Sequence, residues 1–72
     1  MLRFLNARAE VAEVYKLITL QNGADGVVAV KARMADTPSA AALIDAINHC
    51  ERAMRAEFPE VRWLFFEPDD RA

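Results

Sequence analysis

The sequence contains one adjacent pair of soft metal ligands, His49 and Cys50. Imidazole and thiolate groups are the side chains that bind zinc in proteins. Neighbouring positions on a helix point about 100° apart, so these two side chains diverge and cannot easily hold one ion. We therefore assign Cys50 to the core and His49 to its margin. Because Cys50 is the only cysteine, an intrachain disulfide and a Cys-x-x-Cys motif are excluded.

Hard oxygen ligands lie at the end of the segment VRWLFFEPDD, residues 61–70. A calcium or magnesium site needs more oxygens than Glu67, Asp69 and Asp70 supply, held in a defined loop. We interpret these carboxylates as a solvated acidic end. The residues kept as weak metal candidates are His49, Glu67 and Asp69, so a divalent cation such as zinc stays an open alternative.

No catalytic motif is recognisable. Ser39, the only serine, lies where a helix is predicted to begin, and no base is close to it in sequence. Gly23 and Gly26 fit a chain reversal better than a phosphate-binding loop. We predict that the chain is not an enzyme and that this domain holds no cofactor.

Composition narrows the class further. The 72 residues make one small domain, residues 1–72, with 54% apolar content and a net charge of −2. This balance provides no basic field for a phosphate backbone, so nucleic acid is not an expected partner. Apolar content above the ~45–50% of typical soluble domains favours burial against another subunit. No apolar run approaches the ~20 residues of a membrane span.

Residues 37–58 carry the clearest periodicity and predict a long amphipathic helix. Thr37 is the predicted N-cap, Pro38 the first helical residue, and Pro59 the stop signal. The apolar positions of the predicted buried face are Leu43, Ile44, Ile47, Cys50, Met54 and Phe58.

Two β-rich runs, near 14–21 and 26–34, flank a polar reversal and predict a hairpin. A third strand is expected at 61–67, after the helix. Alternation in the second strand assigns Val28, Val30, Ala32 and Met34 to the core, and in the third strand Leu64 and Phe66. Val61, Trp63 and Phe65 are assigned to the other face, where Lys31 and Glu67 are expected to pair across strands. With a short helix before the hairpin, the order is α-β-β-α-β, an α+β open-faced sandwich with a three-stranded mixed sheet and helices on one face.

The segments LITLQNGADGVVAVKARM, ALIDAINHCERAMRAEFPEV and WLFFEPDD resemble the C-terminal cytoplasmic domain of cation diffusion facilitator transporters. The resemblance covers nearly all of residues 8–70, and its motifs are Phe58-Pro59 and Glu67-Pro68. It implies a ferredoxin-like or metallochaperone-like fold that forms a homodimer on the cytoplasmic side of the membrane. It also implies that the chain is a domain excised from a longer divalent cation transporter, whose transmembrane domain would be a partner.

The usual metal ligands of that family are largely replaced. Where the family has histidines on the second strand and early in the long helix, this chain has Lys31 and Ile44. The His-x-Asp motif that the family has on its last strand corresponds to Phe65-Phe66-Glu67 in this chain. Of these positions, only Glu67 is still a residue type that binds metal ions. An ammonium group occupies both the place and the charge of a cation. We therefore expect a metal-independent regulatory dimer, whose interface residues are Ile18, Leu20, Lys31, Trp63, Phe65 and Glu67.

Two alternatives remain open from the sequence. The first is metal binding through noncanonical ligands such as His49, Cys50 and the carboxylates of residues 67–70. The second is a stand-alone ferredoxin-like domain that binds a small molecule between subunits. Both faces of the predicted sheet are apolar, so the sequence also leaves open which face the helices cover.

Overall fold

The computed structural model describes residues 1–22 and 25–70. Its elements are α1 (Leu2–Asn6), β1 (Val11–Asn22), β2 (Asp25–Met34), α2 (Ala40–Glu57) and β3 (Val61–Pro68). The predicted α+β class and the α-β-β-α-β order are confirmed. The reversal at Gly23 and Ala24 lies outside the described residues.

The three strands form one mixed sheet in the order β1-β2-β3. The hairpin partners β1 and β2 are antiparallel, whereas β2 and β3 are parallel. A parallel pair needs a long crossover connection, and α2 provides it. The central strand is therefore β2, and β1 and β3 are the two edges.

The core lies between one face of this sheet and the two helices. The four β2 residues predicted to face it are all buried, with Val28 and Val30 only 2% exposed. From the helices, Leu5, Cys50 and Met54 are fully buried. The helices therefore cover the face predicted as core, and Cys50 lies in the core as expected.

Gly26 is part of β2 and not of the turn. Its amide donates to the Glu60 carbonyl at 3.1 Å, where the chain enters β3. A Cβ atom at Gly26 would lie 3.0 Å from the same oxygen. The glycine is thus explained by close backbone approach, so its assignment as a turn residue was wrong.

The start of α2 differs from the prediction. The N-cap is Ser39, whose backbone is extended and whose Oγ accepts the Ala42 amide at 3.1 Å. Thr37 instead donates its hydroxyl to the Ser39 carbonyl. Pro38 consequently precedes the cap, and the helix begins at Ala40. The end of α2 agrees better with the prediction, since Phe58 caps the helix immediately before Pro59.

Two apolar residues lie on the opposite side from the one predicted. Ile44 is 57% exposed, because its neighbour Leu43 already occupies the turn of α2 that faces the core. Val61 is buried, because β3 contains an irregularity at Arg62: Gly26 pairs with Val61, but Val27 pairs with Trp63. One extra residue in a strand reverses the alternation, so Val61 joins the core face.

Candidate functional site

The face of the sheet opposite the helices, which we call the outer face, consists of three rows of residues that cross the strands. The register places Leu20, Val27 and Trp63 side by side in the first row. The second row is Ile18, Ala29 and Phe65. The third row is Lys16, Lys31 and Glu67. Two apolar rows are therefore followed by one charged row.

The large apolar side chains of this face are open to solvent. Leu20 is 62% exposed, Phe65 61% and Trp63 57%, and Ile18 is 42% exposed. These four are the apolar members of the interface predicted from the sequence, which also includes Lys31 and Glu67. Two further large apolar side chains among the described residues, Leu2 and Ile44, are exposed elsewhere. Adjacent exposed apolar groups of this size mark interaction surfaces more often than isolated ones do.

A shallow groove of about 680 Å³ runs over the middle of the outer face. Its centre is low because Ala29 on β2 has a small side chain, and its walls include Ile18 on β1 and Phe65 on β3. Lys16, Lys31 and Glu67 line its charged end. The outer face thus presents raised apolar edges, a low centre and one polar end.

Lys31 and Glu67 are directly opposite in the β2–β3 register, as alignment of the strands predicted. The ion pair, however, joins Lys31 Nζ to Asp69 Oδ2 at 3.3 Å. Asp69 is held there because its amide donates to the Ala32 carbonyl at 2.9 Å, immediately after β3 ends. The expected Lys31–Glu67 pair is therefore replaced by a Lys31–Asp69 pair, and the Glu67 carboxylate remains exposed on the outer face.

Lys16 is a residue of the outer face that was not predicted from the sequence. It lies opposite Lys31 in the β1–β2 register, and no ion pair links it to another residue of the described ranges. Like charges directly across two strands are unfavourable unless they are compensated. Alternate residues of a strand lie on the same face, so the assignment of Ile18 and Leu20 to the outer face also places Lys16 there.

A second polar cluster joins the α1–β1 connection to α2. Arg8 donates to both carboxylate oxygens of Glu10, at 3.1 and 2.9 Å, and His49 Nδ1 lies 2.6 Å from Glu10 Oε2. Hydrogen bonding from Arg8, with a smaller contribution from His49, lowers the pKa of Glu10 from 4.5 to about 2. Because an ionised carboxylate only accepts hydrogen bonds, the imidazole donates from Nδ1.

The partners of His49 were not foreseen, because Glu10 is 39 positions away in the sequence. Next to this cluster, burial raises the pKa of the Cys50 thiol. A buried thiol with a raised pKa is not a reactive nucleophile. The Arg8–Glu10–His49 cluster therefore connects the α1–β1 connection to α2.

The weak metal candidates are not brought together. His49 lies on α2, on the helix side of the sheet, whereas Glu67 belongs to the outer face and Asp69 follows β3. In the ranges 1–22 and 25–70 no group of three or more His, Cys, Asp or Glu side chains is arranged to hold a metal ion. In the same part of the chain, no helix combines the length and apolarity needed to cross a membrane.

Comparison with known proteins adds no assignment: no protein family matches this chain, and no curated protein or solved structure does.

Proposed function

We propose that this chain is a non-catalytic, metal-independent dimerisation domain whose outer face binds the outer face of a second copy. The observation that carries the proposal is the exposure of Leu20, Trp63, Ile18 and Phe65 in two adjoining rows. Burial of apolar surface is the main favourable contribution to association, at roughly 25 cal/mol per Å².

The size of the patch indicates a weak dimer. Three strands and three rows cover about 15 by 20 Å, an area of roughly 300 Å², given ~4.8 Å between strands and ~6.7 Å between alternate residues. This is smaller than the ~800 Å² per partner of a standard interface. We therefore expect a dissociation constant of about 1–100 μM, the range of transient complexes.

We further propose that the dimer serves as the cytoplasmic regulatory domain of a divalent cation efflux transporter. Support comes from the sequence resemblance and from an α+β fold of the expected order. Lys31, where that family has a ligand, forms an ion pair with Asp69. A cation would have to displace this ammonium group, so we expect dimerisation without metal.

Sedimentation equilibrium over a concentration series of about 1 to 300 μM, which brackets the expected dissociation constant, tests the dimer with and without EDTA. We expect the same dissociation constant under both conditions and no heat when zinc is titrated in. The double variant Trp63→Ser/Phe65→Ser should weaken association at least tenfold. Its matched control is Ile44→Ser, since Ile44 is as exposed as Trp63 but lies on α2. A wild-type monomer at the top of the series, or a dimer lost on chelation, would contradict the proposal.

The transporter assignment has a separate test. The coding sequence upstream of Met1 should encode several apolar spans in the same reading frame. An unrelated soluble domain in that position, or a start of translation at Met1, would leave a dimerising domain outside the transporter family.

A further inference from the structure

The charged row of the outer face determines how two copies can meet. We infer that the two-fold axis of the dimer runs parallel to β2, so that Lys16 of each copy lies against Glu67 of the other. This inference rests on the proposed function, because it specifies the arrangement of the same dimer. It follows from the order of charges across the sheet, in which Lys16 is on β1, Lys31 on β2 and Glu67 on β3.

Homodimers generally have a two-fold axis, and each copy then presents the same surface to the other. For a flat sheet, the axis can be normal to the sheet, or it can lie between two facing sheets, where its two limiting directions are across the strands and along them. An axis normal to the sheet joins two edges. It leaves the apolar rows of both copies exposed, so it does not account for the outer face.

An axis across the strands places β1 on β1 and reverses the order of the rows. Centred on the Ile18–Ala29–Phe65 row, it buries the charged row of each copy under the apolar Leu20–Val27–Trp63 row of the other. Centred on the charged row, it sets Lys16 against Lys16 and Glu67 against Glu67. Burial of charges without partners and contact of like charges both oppose association. Centred between the two apolar rows, the same axis brings Leu20 against Ile18 and Trp63 against Phe65. The charged row then lies beyond the apolar contact, and Lys16 does not meet Glu67 of the other copy.

An axis along β2 keeps each row opposite the same row and exchanges the two edges. Leu20 then faces Trp63 of the second copy, and Ile18 faces Phe65, so apolar groups meet apolar groups. In the charged row, Lys16 faces Glu67 twice, once on each side of the axis. Lys31 meets its own copy at the axis, where each ammonium group is already compensated by Asp69 at 3.3 Å.

This arrangement also gives a role to the two charges of the outer face that form no ion pair with each other within the chain. Lys16 and Glu67 are exposed and lie on opposite edges of the sheet, two strand spacings apart. An interfacial ion pair at the border of an apolar contact contributes more to register and partner choice than to affinity. We therefore expect the apolar rows to provide most of the affinity and the Lys16–Glu67 pairs to select the axis.

Charge reversal tests the axis. Lys16→Glu alone and Glu67→Lys alone each place two like-charge contacts in the homodimer, and we expect each to weaken it at least tenfold. A mixture of the two variants restores both pairs, because each of the two contacts in the heterodimer again joins a carboxylate to an ammonium group. Native mass spectrometry of an equimolar mixture should show mainly the heterodimer, with an affinity within about threefold of wild type.

The mixture also joins proteins of different net charge, and this effect needs its own control. Arg52→Glu and Asp45→Lys change the charge by the same amounts at exposed positions of α2, on the helix side. Mixed together, they should form homodimers and heterodimers in statistical proportions. Circular dichroism confirms that each variant is folded.

The outcomes separate the two proposals. If wild type dimerises and Trp63→Ser/Phe65→Ser prevents it, but the Lys16→Glu and Glu67→Lys variants show no preference for each other, the axis is wrong and the dimerisation domain stands. If wild type remains monomeric at the highest concentration of the series, both are wrong. Preferential heterodimers in the outer-face mixture alone support the axis.

Discussion

The two faces of the sheet are both rich in apolar residues, yet only one of them is covered. Along β2, Val28 and Val30 are 2% exposed beneath the helices, whereas Ala29 between them points to the outer face. Along β3, Leu64 is 8% exposed and Phe65 beside it is 61% exposed. The same strands thus contribute buried residues to the core on one side and solvent-exposed apolar residues to the surface on the other.

The faces also differ in the treatment of polar groups. At the edge of the helix-covered side, the Glu10 side chain is only 16% exposed and its carboxylate has partners in both Arg8 and His49. On the outer face, Lys16 and Glu67 remain at opposite edges without a mutual contact. Polar groups that are largely withdrawn from solvent require partners, whereas exposed charges are solvated and remain available to a binding partner.

The same substitution on the two faces of β2 should give the largest contrast. Ala32→Asp places a carboxylate at a fully buried position and should unfold the domain, because an unpaired buried charge costs several kcal/mol of the roughly 5–15 kcal/mol available. Ala29→Asp should leave the monomer folded, within about 1 kcal/mol of wild type, and prevent dimerisation. Circular dichroism and sedimentation measure the two effects, and a folded Ala32→Asp protein would show that the core face is misassigned.

A second contrast compares two apolar residues of α2. Met54 is fully buried, so Met54→Ala should lower the free energy of unfolding by about 2–5 kcal/mol through lost contacts and a cavity. Ile44→Ala, at a 57% exposed position, should change it by less than about 0.5 kcal/mol. Urea denaturation of both variants provides the measurement. Equal losses would mean that Ile44 is covered in solution.

The strand alternation of β2 and the periodicity of α2 were sufficient to predict most of the core. Val28, Val30, Ala32 and Met34 were assigned correctly because nothing interrupts the period of two in this part of β2. Val61 was not, because the irregularity at Arg62 depends on how β3 meets β2 and leaves no signal in the sequence of β3 itself.

The polar contacts were harder to foresee. The sequence placed Lys31 and Glu67 opposite each other correctly, but it did not show that the backbone bond from Asp69 to Ala32 brings a competing carboxylate to Lys31. The Glu10–His49 contact depends on α2 packing beside the α1–β1 connection. Such contacts between distant segments follow from the assembled fold and not from local patterns.

The helix cap provides a smaller test of the covered side. Ser39→Ala removes the acceptor for the Ala42 amide and should lower the free energy of unfolding by about 1 kcal/mol. Thr37→Ala removes only an exposed hydroxyl contact to the Ser39 carbonyl and should have about half that effect or less. Thermal denaturation of both variants checks the order. The reverse order would return the cap to Thr37, as the sequence first indicated.

The last contrast concerns pH. The pKa of Glu10 is lowered from 4.5 to about 2, so its contribution to the free energy of unfolding is complete above pH 4.5 and is lost as the pH falls toward 2. Glu10→Gln should therefore be less stable than wild type at neutral pH, and the difference should shrink steadily between pH 4.5 and 2. The control is Glu13→Gln, whose carboxylate lies 3.6 Å from Arg33 in an exposed pair that solvent screens, so its difference from wild type should be smaller throughout. A Glu10→Gln difference that stays constant with pH would mean that Arg8 and His49 do not hold an ionised carboxylate at this edge of the core. In that case the two faces would not differ in the way described, with a hydrogen-bonded Glu10 beside the core and Lys16 and Glu67 apart on the outer face.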